Sequence, residues 1–264
     1  MPGGVPDNRA QIIRGTGRSL SEEELDRAVE NVLRLVAKHR DLPSGSAENA
    51  PDASGRTDVP DQPADIEELL LAHMETAVDL AVRSAVLLKN DGTLPLSAGA
   101  SLIVVGGMFE RMRYQGAGSS GLNPKYIMTH KDAFDRAGVH YTYARGYDPE
   151  GGTPSPALEE EALKAAEHAD TVLVYCGLTD MIECEGYDRS SFKIPENQIS
   201  LITKLCELGK KVVLILSGGA AFDLEFAENA NAVLHMFLPG QGGGEAARRL
   251  LFGECCPSGH LSET

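Results

Sequence analysis

The sequence predicts an α/β fold, a mostly parallel sheet with helices on both faces. Three observations carry this expectation. Five apolar, strand-like runs alternate with helical patterns between residues 101 and 252, and such alternation belongs to sheets built from strand–helix–strand units. The runs "TVLVY" (171–175) and "VVLIL" (212–216) are continuously apolar, as strands covered on both faces must be. The segments that follow, such as "SGGA" (217–220) and "PGQGGG" (239–244), have the composition of loops and not of strand interiors.

Taken in order, "SLSEEELDRAVENVLRLVAKH" reads as a helix. Ser21 is its N-cap, and Glu24, three residues on, completes a capping box. Leu25, Ala28, Val29, Val32, Leu33, Leu35 and Val36 recur at helical spacing. From 40 to 64 the pattern dissolves into Pro, Ser, Gly, Asp and Asn, a linker whose length points to a domain boundary. A second helix is expected over 65–83, followed by the short apolar run in "SAVLLKNDGTLPL" and its "NDG" turn. Strands are expected at 101–107, 140–146, 171–178, 211–219 and 232–240. Helices are expected at 126–137, 156–169, 195–209, 221–229 and 242–252. Pro195 suits a helix start, where its missing N–H costs nothing.

Composition excludes several functions. A net charge of −15 is wrong for nucleic acid, whose phosphates call for a basic face, and wrong for an anionic membrane surface. No apolar run reaches the roughly 20 residues of a spanning helix. The five Cys follow no framework, which favours reduced thiols. With no apolar leader, the cytoplasm is the expected location. No Cys or His pair has metal-ligand spacing, so neither a metal nor any other cofactor is expected. The seven His are scattered and no Gly-x-Ser-x-Gly elbow occurs. Lys89, at the end of a strand-like run, is expected to snorkel or to be hydrogen-bonded locally, with no catalytic role.

In open α/β sheets, ligands bind beyond the carboxyl ends of the strands. The loops 179–194, 217–220 and 239–244 all lie there. The first carries "CEGYDRSSFKIP" (184–195), with Glu183, Glu185, Asp188 and Arg189 close together. A turn alone does not require that cluster. Glu185 is either a solvated charge or a general acid whose pKa is raised by an apolar pocket or a second carboxylate. Asp188 and Arg189 fit a pin that holds the loop, and Tyr187 fits substrate contact or packing. "QGAGSSGLNP" (115–124) is a shaped loop. Its glycines stand too far from the preceding strand for a dinucleotide fingerprint.

Five motifs follow one another: "SAVLLKNDGTLPL", "QGAGSS", "EGYDRSSFKIPENQISLI", "VVLILSGG" and "FLPGQGGGEAARRLLFGECCPSGHLSET". Over about residues 65–264 this succession resembles the C-terminal α/β sandwich domain of glycoside hydrolase family 3, the β-glucosidase family. "MPGGVPDNRAQI" and the helix after it resemble the end of the (β/α)8 barrel that precedes the sandwich there. The resemblance implies a barrel-end remnant at 1–39, a linker at 40–64 and the sandwich at 65–264.

It also implies retaining hydrolysis of β-linked sugars, with Glu185 as general acid/base. Gln115, Gly118, Ser119, Ser120, Tyr187, Asp188 and Arg189 would bind substrate or support the loops. The nucleophile would lie on the barrel. The chain is therefore expected to be inactive alone and to self-associate through the surface a barrel would cover. A non-catalytic module that binds carbohydrate or docks on a protein is the alternative.

Overall fold

The computed structural model describes residues 8–41, 63–97 and 99–262. The chain divides into two compact units, Met1–Ile66 and Glu67–Thr264. The linker expected at 40–64 falls mostly on residues 42–62, outside the described residues, as does the "MPGGVPD" segment.

The first unit contains α1 (Asn8–Gly15) and α2 (Glu22–Asp41). The capping box forms as the sequence requires. The Glu24 backbone N–H donates to Ser21 Oγ at 3.2 Å, and the Ser21 N–H donates back to Glu24 Oε2 at 2.9 Å. Ion pairs one turn apart, Arg27–Glu23 and Arg34–Glu30, line the polar side of α2.

The second unit begins within α3 (Pro63–Ser84) and is built on six strands: β1 (Val86–Asn90), β2 (Leu102–Val105), β3 (Thr142–Ala144), β4 (Thr171–Gly177), β5 (Lys211–Ser217) and β6 (Ala232–His235). Their order is β1-β6-β5-β4-β2-β3. All pairings are parallel except β1 with β6. The remaining helices are α4 (His130–Arg136), α5 (Pro156–Ala166), α6 (Glu196–Glu207) and α7 (Gly243–Leu251).

Both sheet faces are covered. Val104, Leu173, Val213 and Leu234 pack with residues of α3, α4 and α7 on one side. Ile103, Val172, Val174 and Leu214 pack with residues of α5 and α6 on the other. This two-sided burial is why the central strands carry no polar alternation.

Several elements differ from the sequence expectation: α1 was not expected, and the strand expected at 140–146 spans only Thr142–Ala144. The helix expected at 221–229 shrinks to a single 3-10 turn, Glu225–Ala227. Its start is diverted because the Asp223 carboxylate caps the Glu225 N–H at 2.8 Å, and the Asp223 N–H is held by the Phe192 carbonyl at 2.9 Å. The helix expected from 126 begins at His130, where Thr129 and Asp132 form a capping box. The last strand ends at His235 and not at 240, since Phe237 turns to φ 53° and cannot continue a strand. Lys89 donates to the Glu228 carbonyl at 2.6 Å, a partner 139 residues away and not the local one expected.

Candidate active site

The sheet reverses its winding between β2 and β4: the chain passes from β2 outward to β3, then returns to the other side of β2. Loops that leave the carboxyl ends of strands on either side of such a reversal part to leave a crevice. The two loops here are 106–129 and 178–195, which contain two of the segments that sequence reasoning singled out, 115–124 and 179–194. They meet at an isolated parallel bridge between Ala117 and Cys184.

Glu185 sits beside that bridge. Its N–H reaches the Ala117 carbonyl at 3.3 Å. Its carboxylate accepts the Ser119 backbone N–H at 3.0 Å and the Ser119 hydroxyl on the same oxygen, Oε2. Gly118, at φ +93°, makes the approach possible. A Cβ there would stand 2.9 Å from Glu185 Cβ, so both its conformation and its bareness are required. The two Ser119 donors favour the ionised carboxylate and hold the Glu185 pKa below the usual glutamate range. The raised pKa that a general acid needs is therefore not present in the isolated groove. Glu185 is solvent-exposed, and the smaller opposing effect of desolvation does not outweigh the two hydrogen bonds.

Around it lies an open groove of about 640 Å³, lined by Gly116, Ser120, Glu183, Tyr187, Asp188 and Arg189 among others. That volume falls within the roughly 300–1,000 Å³ of small-molecule sites. Tyr187 is 78% exposed, a flat face presented to the groove. Arg189 does not fork to a carboxylate. One of its nitrogens donates to the Ala221 carbonyl at 2.6 Å, and its guanidinium lies over the Phe192 ring at 5.3 Å. It thus pins the loop after β4 to the loop after β5. Gln115 lies outside the groove lining and staples its own loop: its amide donates to the Leu122 carbonyl and accepts the Leu122 N–H, both at 2.9 Å.

Sequence reasoning missed Arg113 and named Glu183 only as one charge of the loop cluster. Arg113, in what reads as a spacer after β2, is almost wholly buried and reaches across to the loop after β4. Glu183, read as a solvated charge, is its partner: its Oε2 lies 3.0 Å from Arg113 Nη2 and accepts the Gly219 N–H at 3.0 Å. A carboxylate so engaged is not free to act as a nucleophile. Among the described residues no cluster of His, Cys, Asp and Glu could hold a metal, and all five Cys are free thiols.

Comparison with known proteins places this geometry. Residues 85–264 match the Glycosyl hydrolase family 3 C-terminal domain. Thermostable beta-glucosidase B of Acetivibrio thermocellus is 33% identical over 265 residues, covering 99% of this chain and 32% of that protein. An exo-alpha-(1->6)-L-arabinopyranosidase of Bifidobacterium longum is 36% identical, covering 73% of the chain and 27% of that protein. Among solved structures, a beta-glucosidase of Bifidobacterium adolescentis superposes with a TM-score of 0.74 at 32% identity, covering 97% of this chain and 35% of that one. The chain spans about a third of the length of these relatives.

Proposed function

The chain belongs to glycoside hydrolase family 3 through its C-terminal domain, and from that premise we propose that it is the acid/base half of a retaining glycosidase active site. The observation that carries the proposal is the placement of Glu185. It stands at the carboxyl edge of the sheet, in an open groove, on a loop pinned from both sides and with its carboxylate oriented by Ser119.

In retaining hydrolysis two carboxyl groups flank the glycosidic bond. Glu185 protonates the departing oxygen while a second carboxylate attacks the anomeric carbon. It then takes a proton from the water that releases the sugar. The second carboxylate has no candidate in this groove. Glu183 is committed to Arg113 and Gly219, and Asp188 lies too near in sequence to face Glu185 across a sugar. A barrel domain supplies the nucleophile, and the chain alone is inactive.

A barrel would also correct the Glu185 pKa. A second carboxylate and the exclusion of water both raise it, which turns a carboxylate into an acid at neutral pH. Tyr187, Asp188 and Ser120 line the sugar's path, while Gln115, Gly118, Ser119 and Arg189 shape the loops. The substrates that these relatives' names point to, β-glucosides and α-L-arabinopyranosides, share an equatorial glycosidic bond. We assign this chain to that class, with β-glucosides first. The free thiols support a reducing compartment.

The test is hydrolysis of nitrophenyl glycosides of these two sugars by the chain alone and with a family barrel domain added in trans, each beside Glu185→Gln. Turnover only with the barrel, lowered by Glu185→Gln about 10²–10⁴-fold, supports the reading. Turnover by the chain alone that Glu185→Gln leaves intact refutes it.

A further inference from the structure

We propose that Arg113 and Glu183 form a positioning clamp that sets where Glu185 stands, an inference that rests on the acid/base reading of Glu185. The clamp runs along the carboxyl edge of the sheet and ties three adjacent strands. Arg113 belongs to the loop after β2. It donates to the carbonyls of Leu178 at 2.6 Å and Glu183 at 2.9 Å, both on the loop after β4. Its charge meets Glu183 Oε2 at 3.0 Å and Asp180 Oδ1 at 3.3 Å. Glu183 extends the chain of contacts to the loop after β5 through the Gly219 N–H.

The loop leaves β4 by an equally fixed path. Gly177 has φ +141°, and a Cβ there would lie 1.9 Å from the Ser217 carbonyl oxygen. The Leu178 N–H bonds that same oxygen at 2.9 Å. The root of the loop, 177–183, is therefore anchored at every turn. Only Cys184 separates the last anchor from Glu185, so two residues of chain, at most about 7 Å, connect the clamp to the carboxylate.

A purely structural role is the weaker reading, because a buried ion pair is a poor source of stability. Apolar replacement of such pairs is often neutral or stabilising. The Arg113 side chain is only 4% exposed, and its burial is costly to the charge. An apolar side chain of similar size would fill the space. It could not fork to two loop carbonyls and a carboxylate at once.

The test compares the whole chain with the double variant Arg113→Met/Glu183→Gln, which removes both charges together and leaves no buried charge uncompensated. The Glu185 carboxyl is titrated by carbon-13 NMR, and the Ser119 amide resonance is followed over the same pH range. The clamp predicts a variant that melts close to wild type. Its Glu185 titrates higher, nearer an ordinary glutamate, and its Ser119 amide no longer follows that titration. A folded variant in which both signals match wild type overturns the proposal. If the double variant does not fold, Arg113→Lys, which keeps the charge and loses the fork, is read in the same way.

With a barrel added, the clamp variant is expected to lose on the order of 100-fold in kcat, with KM less affected. Failure of the glycosidase reading would leave the NMR result standing, so the two can be told apart.

Discussion

Helices α2 and α6 carry the same kind of pattern and meet different fates. In α6, Leu201, Ile202 and Leu205 are fully buried against the sheet. In α2, Val32, Leu33 and Leu35 are each more than 60% exposed, and Val29 and Val36 about half exposed. An apolar stripe at helical spacing says that a face requires a partner. It does not say that the partner is in the same chain. The N-terminal helices are consistent with the end of a truncated barrel, and a bare stripe is what a helix separated from the rest of its barrel would show.

The largest expected effect exposes this contrast. Leu201→Ala should destabilise the sandwich by about 2–5 kcal/mol, the range for cavities in a well-packed core, as read from urea denaturation. Loss of less than about 1 kcal/mol would mean that α6 is far more loosely held than its burial indicates.

Much of this was legible in advance, for physical reasons. Strands β4 and β5 announce themselves because both their faces are buried, which leaves an unbroken apolar run. The Ser21–Glu24 box was legible because capping acts over three residues. Glu185 stood out as a candidate only as part of an ordered set of motifs, since a glutamate in a loop is ordinarily a solvated charge. Arg113 and Glu183 were not legible as a pair. Seventy residues separate the Arg113 donor from the Glu183 carbonyl that accepts it, and no local periodicity marks a contact of that span. The helix expected at 221–229 failed for a related reason. Its composition permits a helix, but Asp223 is engaged by its own loop and by Phe192 before one can form.

The second effect is acid sensitivity, and it belongs to the sandwich. His130 is fully buried against Tyr175, with ring centroids 4.4 Å apart. Burial pushes its pKa down to about 3. The folded state keeps the ring neutral while the unfolded chain takes up a proton below about pH 6.5. The unfolded state then binds more protons, so stability falls as pH drops from about 6.5 toward 3, by up to roughly 5 kcal/mol from this group alone. His130→Leu should flatten that slope in a series of melting curves. An unchanged slope would assign the acid sensitivity to other groups.

A third, smaller effect lies at the start of α2. Ser21→Ala removes the acceptor for the Glu24 N–H and should lower helix stability by about 1 kcal/mol. Far-UV circular dichroism during melting would detect it. Because α2 lacks the burial that steadies α6, the cap should matter more here than the same change would at a buried helix.

The smallest effect on stability is the most informative about α2. Replacing Val32 and Leu33 with Lys places charge on the stripe. Exposed sites tolerate substitution within about 0.5 kcal/mol each, so denaturation should barely move. Self-association should change, because contiguous exposed apolar surface favours pairing. A light-scattering concentration series is expected to show wild-type chain associating and the double variant remaining monomeric. If the variant instead loses several kcal/mol, α2 has a partner within the chain and resembles α6 after all. If both proteins are monomeric at every concentration, the stripe is tolerated bare, and the case for a covered face would rest on the sandwich edge around Glu185.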